Sequence, residues 1–476
     1  MSDLQSDPNP PLAVPPSYEH PDPERPASAA VTETQLEYET PGGLRAGGHD
    51  PYAALRLRDY RLYSAGWVLS VIGQQIMDVA VGWDVYHRTK AESGLNPLLA
   101  LGLVGAVLAL PVMVLALPAG ALADHFDRRK ILMGSMAGAA AAAVGLAWLA
   151  HTHGSLGMTY LCLFLGATAL AFGWPARSAL LPQIVPAEVF SNAATWNSSG
   201  FQLASMIGPA IGGAILIYST AWAYVCDAVL CMVFFVFLMA LQVRPSPRAK
   251  EPLTFQSLAA GVRFVFRTKI ILATITLDLF AVLFGGATSL IPAFAKDILH
   301  VGPVGFGVLR AAPAVGALGM ALWMAHRPPM KRAGRSLLWA VAGFGLATIV
   351  FGLSKSFTLS FCMLLLTGAF DNVSVVVRHT LVQMLTPDAM RGRVSAVNNV
   401  FIGASNELGG FESGVTGALI GAVWSVVLGG IGTLAVVVGV AWIWPQIARF
   451  GSLQDARPVE ETGEETCPPG TPRTQS

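Results

Sequence analysis

Twelve times along this chain the sequence returns to an apolar run of roughly 20 residues, the length that crosses a bilayer core as a helix. The runs fall at about 63–86, 98–122, 131–151, 158–180, 194–218, 221–243, 270–294, 304–325, 336–353, 358–380, 395–419 and 423–444. A chain built this way cannot hide its apolar surface around one soluble core. Gly and Pro within the runs do not count against helices, because membrane helices tolerate both. Only 12% of the 476 residues are charged, about half the share of a soluble domain. The pattern predicts an all-α membrane protein of twelve transmembrane helices. The net charge of +1 gives no reason to expect a nucleic-acid partner.

Twelve spans place both termini on one side. Lys and Arg collect on the cytoplasmic side of membrane proteins. Of the 30 here, 25 lie on the side of the termini, counting Arg177 and Arg378 at span ends. Arg88, Lys90, Lys296 and Lys355 lie on the other, and Arg310 is within a span. Both termini are therefore expected in the cytoplasm of a bacterial plasma membrane. Residues 1–54, rich in Pro, Glu, Asp and Ser, and the polar tail 447–476 are expected to be disordered. The five cysteines form no CxxC pair and read as small apolar residues, with no metal site or cofactor implied.

The basic segment 244–269 divides the spans six and six, giving expected bundles at 55–243 and 270–446. Its second half, "TFQSLAAGVRFVFRTK", has the pattern of an amphipathic interfacial helix. The halves resemble each other. At an offset of 201, Arg177 matches Arg378, Asn197 matches Asn398, Gly208 matches Gly409 and Gly213 matches Gly414. "QIMDVAV" aligns with "ITLDLFA", setting Asp78 against Asp278 at an offset of 200. Two pseudo-symmetric six-helix bundles with a site between them follow from such a duplication.

Residues 120–130, "GALADHFDRRK", crowd five charges between the second and third runs. They resemble the G-x-L-A-D-x-x-x-R-R-K motif of the major facilitator superfamily. "GPAIGG" at 208–213 is similar to the G-P-x-x-G-G motif of its antiporter branch. "LDLFAVLFGGATSLIPAFA" and "TPDAMRGRVSAVNNVF" resemble the enterobactin-exporter and macrolide-efflux group. The resemblance covers about residues 55–445 and implies the major facilitator fold. It also implies a conformational latch of Gly120, Asp124, Arg128, Arg129 and Arg177. Gly120 would allow close helix approach, and Asp124, just past the second helix, would reach Arg128, Arg177 or a facing helix. Gly208, Pro209, Gly212 and Gly213 form a helix-packing motif.

An ionisable group near the bilayer centre costs about 2.5–3.5 kcal/mol, so those present carry a purpose. They are Asp78, Asp227, Asp278, Arg310, Asp371, Glu407 and Glu412. The resemblance places the first, fourth, seventh and tenth helices around a central cavity. Asp78, Asp278, Asp371 and Arg378, with Gln74, Gln75 and Arg310, are therefore the candidate cavity and proton-coupling residues. Arg310 is expected to pair with Asp78 or Asp278. Asp227, Glu407 and Glu412 are expected to bond between helices or lie near loops.

The expected function is secondary, proton-coupled export of a hydrophobic or amphipathic small molecule, siderophore-like or macrolide-like, by a monomer. Uptake, lysophospholipid flipping and a non-transporting membrane sensor are the alternatives. No nucleophile–base pair or nucleotide-binding motif suggests an enzyme.

Overall fold

The computed structural model describes residues 50–451 apart from 93, 244–254, 328, 329 and 331. The expected disordered stretches at the two ends fall almost wholly outside the described residues. Among the described residues twelve long helices stand out. The first six are α1 (Arg58–Glu92), α2 (Pro97–His125), α3 (Arg128–His151), α4 (Leu156–Ile184), α5 (Phe190–Ile215) and α6 (Thr220–Ala240). The second six are α7 (Lys269–Phe284), α8 (Pro303–Ala325), α9 (Ala333–Leu353), α10 (Phe357–Leu385), α11 (Asp388–Ile420) and α12 (Ala422–Ile443). A helix at Phe255–Arg267 precedes α7 and packs against α7 and α11.

Local chemistry sets several boundaries. Asn96 accepts from the Leu98 N–H with Pro97 in the first turn, and Ser155 and Ser219 likewise cap α4 and α6. Asp127 caps α3 by accepting from the Arg129 N–H at 3.0 Å. The charged hairpin is thus a two-residue link, and Asp124 sits inside the last turn of α2 rather than past its end.

Two further departures from the hydropathy pattern have clear causes. α1 has 35 residues, about 52 Å at 1.5 Å per residue, so it outruns the apolar run. Arg88 and Lys90 ride its last turns instead of lying in a loop. The seventh span is bent, not straight. α7 stops at the Gly285–Gly286 pair, and tighter and wider turns carry the chain on to Ile298. There is no room for a side chain at Gly286, where an added carbon would run into the Gly409 backbone carbonyl of α11.

Ten segments among the described residues are long and apolar enough to cross a membrane. α5 and α11 are not in that set, because each carries polar residues along much of its length. These two helices occupy equivalent places. In the first half α1 packs on α5 and α6, α3 on α4 and α6, and α2 on α4. In the second, α7 packs on α11 and α12, α9 on α10 and α12, and α8 on α10. The halves then join through α2 with α11 and α5 with α8.

The matched glycines explain how. Gly208 lies on α1, where an added carbon would sit 3.1 Å from the Ile72 carbonyl, and Gly409 lies on α7, 2.8 Å from that of Val282. Five residues on, Gly213 abuts Gly307 of α8, and Gly414 abuts Gly102 of α2. One glycine of each pair seats the helix in its own bundle, and the other brings backbones together across the halves. Pro209 has no proline counterpart, since Gly410 stands there.

The apolar packing is divided unevenly. Call the end where α1 begins and α12 finishes the terminal end, and the opposite one the far end. A large core cluster toward the far end draws on both halves, with Ile76, Val85, Leu290, Phe294 and Phe306 among its members. At the terminal end each half has a core of its own, around Tyr63, Leu180 and Phe234 in one and Ile271, Leu337 and Leu381 in the other.

Candidate functional site

The far end is clasped. Tyr86 Oη donates to Asp297 Oδ2 at 2.5 Å, and Lys90 Nζ binds Asp297 Oδ1 at 2.6 Å. This ties the end of α1 to the turn beyond α7. Beneath it Trp83 stacks on Phe306 of α8, ring centroids 5.5 Å apart, and Gly82 abuts Pro292. Asn96 Nδ2 reaches the Ala418 carbonyl at 3.3 Å. Sequence reasoning missed this clasp because it assigned Lys90 and Lys296 to loops. The signal available was a tyrosine and a lysine one helical turn apart on an over-long first helix.

Inside the closure lies a charged cluster drawn from both halves. Arg310 of α8 acts electrostatically on Asp78 of α1 and on Glu407 of α11, and the two carboxylates act on each other. Arg310 also donates to the Thr288 carbonyl at 3.2 Å. The backbone around Glu407 is held by Gly105 of α2, where an added carbon would lie 2.6 Å from its carbonyl oxygen. Arg310 therefore goes with Asp78 and not with Asp278. Glu407, which the sequence assigned to helix packing, belongs with them. Its depth could have shown this: it lies 19 residues into α11 as Asp78 lies 20 into α1, both counted from the terminal end. Gln74 and Gln75 are half-buried nearby, and Gln75 packs on Gly208.

Two other acids have contacts closer to hand. Asp227 acts electrostatically on Asp78 as Glu407 does, but it is buried against Gly73 of α1, with Cys231 Sγ 3.6 Å from its carboxylate. Glu412 takes Thr416 Oγ1 at 2.8 Å along its own helix, not across to a neighbour.

A second cluster lies wholly in the second half. Arg378 of α10 pairs with Asp278 of α7 at 3.1 Å, and its Nη1 donates to Asn398 of α11 at 3.2 Å. Asp371 interacts with both charges. The Arg378 side chain is only 2% exposed, so it is a sealed group and does not line a cavity in this state.

The duplication is not what the Asp78–Asp278 alignment implied. Asp78 lies 20 residues into α1 and Asp278 nine into α7, a difference in depth of about 16 Å. The packing register between these helices is 210: Ile72 corresponds to Val282, and Gly82 touches its counterpart Pro292. Asp278 thus corresponds to Val68, and Asp78 to Thr288. The short acidic matches misled because neither helix has a landmark except its glycine contacts. Arg177 does occupy the place of Arg378, but it lies over the ring of Trp67, guanidinium carbon to centroid 4.7 Å. Asn197 is bonded to Tyr60 Oη at 3.2 Å instead of to Arg177.

The hairpin residues bond within the first half. Arg128 donates to the Ala179 carbonyl at 3.2 Å and to that of Ala123 at 3.3 Å, and Arg129 donates to the Met239 carbonyl. Gly120 is buried. The Asp124 side chain lies outside the described residues. No group of three or more metal-ligating side chains occurs among the described residues.

Residues 49–456 match the family model described as transmembrane secretion effector, a major facilitator family. The enterobactin exporter EntS of Escherichia coli O1:K1 is 26% identical over 80% of this chain and 91% of its own length. EntS of Citrobacter koseri aligns equally well. Among solved structures, a bacterial homologue of the iron transporter ferroportin in an inward-facing state superposes with a TM-score of 0.65 at 14% identity, covering 83% of this chain and 99% of that one. A bacterial homologue of the lysosomal transporter Spinster, inward-facing and unoccupied, gives 0.62 at 16% identity over 84% and 98%.

Proposed function

The chain belongs to the transmembrane secretion effector family of the major facilitator superfamily, and from that premise we propose that it exports an amphipathic small molecule in exchange for protons by alternating access. It is a multi-pass membrane transporter, and not an enzyme. The observation that carries the finer reading is the cluster of Asp78, Arg310 and Glu407, assembled from both halves. Asp78 and Glu407 lie in the field of one guanidinium and Asp78 also acts on Asp227, so carboxyls outnumber the cation in a medium that tolerates unpaired charge poorly. A proton or a substrate cation balances it. When the halves rock, α1 moves against α8 and α11, so the cluster changes its surroundings in every cycle.

The separate cores at the terminal end and the shared core at the far end support a state open toward the terminal end. The excess of Lys and Arg on that side makes it the cytoplasmic one. The hairpin arginines Arg128 and Arg129 then rest on α4 and α6, as in a latch that has let go. Export, rather than uptake, is favoured by the likeness to enterobactin exporters.

The test uses inside-out vesicles carrying the protein, an imposed pH gradient and a panel of amphipathic aromatic compounds followed by mass spectrometry. Accumulation of a panel member that a protonophore abolishes is the expected result. Accumulation indifferent to the protonophore would refute the coupling.

A further inference from the structure

Arg177 is the one matched residue whose surroundings differ most between the halves. Its counterpart Arg378 is sealed by Asp278 and Asn398. At Arg177 the acid is replaced: Val68 holds the place of Asp278, and the guanidinium lies on the adjacent Trp67. The Tyr63 side chain engages the guanidinium, and Asn197 is engaged with Tyr60. Among the described residues no carboxylate pairs with Arg177. The platform continues in Phe201 of α5, whose ring stacks on Trp67 at 6.4 Å and an interplanar angle of 17°. Phe201 is 48% exposed, and Arg177 is half-buried, at the end where the two halves have separate cores.

A guanidinium laid on a ring keeps its N–H groups in the plane of its edge, and those not turned to Tyr63 match a carboxylate with two parallel bonds. The buried Trp67 ring beneath strengthens the cation's hold, and the exposed ring of Phe201 offers a face to a second ring. An arginine in this setting lacks the carboxylate partner that its duplicate possesses, a place that suits a ligand anion. We propose that Arg177, with Trp67 and Phe201, is a docking point for the anionic group of a planar aromatic substrate entering from the terminal end. This rests on the export reading only for the direction of travel, and it takes Arg177 out of the hairpin latch.

The test measures binding of 1-naphthoate and of uncharged 1-naphthylmethanol to the purified full-length protein in phosphatidylcholine nanodiscs. Arg177→Gln is expected to weaken naphthoate about tenfold and leave naphthylmethanol unchanged, with Arg177→Lys in between. Trp67→Leu is expected to weaken both compounds. A second arm adds phosphatidylglycerol to the discs. If the lipid displaces naphthoate from the wild type at low mole fraction, the site belongs to a lipid headgroup and the proposal fails. It fails equally if the wild type does not bind naphthoate, or if Arg177→Gln binds it as well as the wild type does. Since binding needs no gradient, these outcomes are independent of whether vesicles show proton-driven export.

Discussion

The two charged clusters use similar residues to opposite ends. Asp278, Arg378 and Asn398 come from α7, α10 and α11 of one half, and they bond at 3.1 and 3.2 Å with almost no exposure. Asp78, Arg310 and Glu407 come from both halves and interact without an ion pair of bonding length among the described residues. A closed triad within a rigid bundle fixes that bundle's shape. An unsatisfied triad across a moving seam responds to the movement. Charge in a membrane is tolerated in either setting, but only the second can link a proton to a conformational change.

The comparison predicts unequal damage. Removing one partner of the sealed pair strands the other in a low dielectric, which costs about 3–5 kcal/mol. Asp278→Ala should therefore unfold in detergent at clearly lower temperature than the wild type, while Asp78→Asn should melt close to it. Equal melting losses would erase the distinction between the clusters. The seam is next. A side chain at Gly213 would lie 2.6 Å from the Pro303 carbonyl, and one at Gly414 would lie 2.8 Å from that of Leu98. Gly213→Leu and Gly414→Leu should each cost about 1–3 kcal/mol by overpacking, seen as lost transport with the fold retained by circular dichroism.

The far-end clasp should have a smaller effect. Asp297→Asn weakens two charge-assisted bonds, together about 1.5–3 kcal/mol, and shifts the population toward a state open at the far end. Thiol labelling of a cysteine introduced at Trp83 should rise about tenfold; unchanged labelling would make the clasp ornamental. The hairpin comes last. Asp124→Asn should slow transport by a few-fold with insertion unaffected, because one charge-assisted contact is lost. Unchanged kinetics would reduce "GALADHFDRRK" to a topology signal and an α3 cap.

How much of this was legible beforehand depends on the kind of signal. Span number and the repeat at an offset of 201 follow from apolar length and glycine spacing, which packing enforces; Gly208, Gly213, Gly409 and Gly414 all proved to be contacts. The Asp78–Asp278 equivalence failed because α1 and α7 are offset by 210 while α4, α5, α10 and α11 keep 201. The register therefore changes between the first and fourth helices of each half, and no short acidic match can reveal that. Glu407 and the Tyr86–Asp297 contact were missed for another reason: each is a property of two helices distant in sequence, and only depth and spacing along one helix hinted at them. The alignment matched Arg177 with Arg378, and the exchange of Asp278 for Val68 separates their surroundings.

The most direct test compares proton movement in proteoliposomes holding the wild type, Asp78→Asn or Glu407→Gln, with an interior pH dye and a transported panel compound added outside. The account predicts that substrate drives a pH change in the wild type. It predicts that this change is lost in Asp78→Asn and reduced in Glu407→Gln while both variants still bind substrate. A wild-type pH response in Asp78→Asn would contradict it and move the coupling away from the seam between the halves.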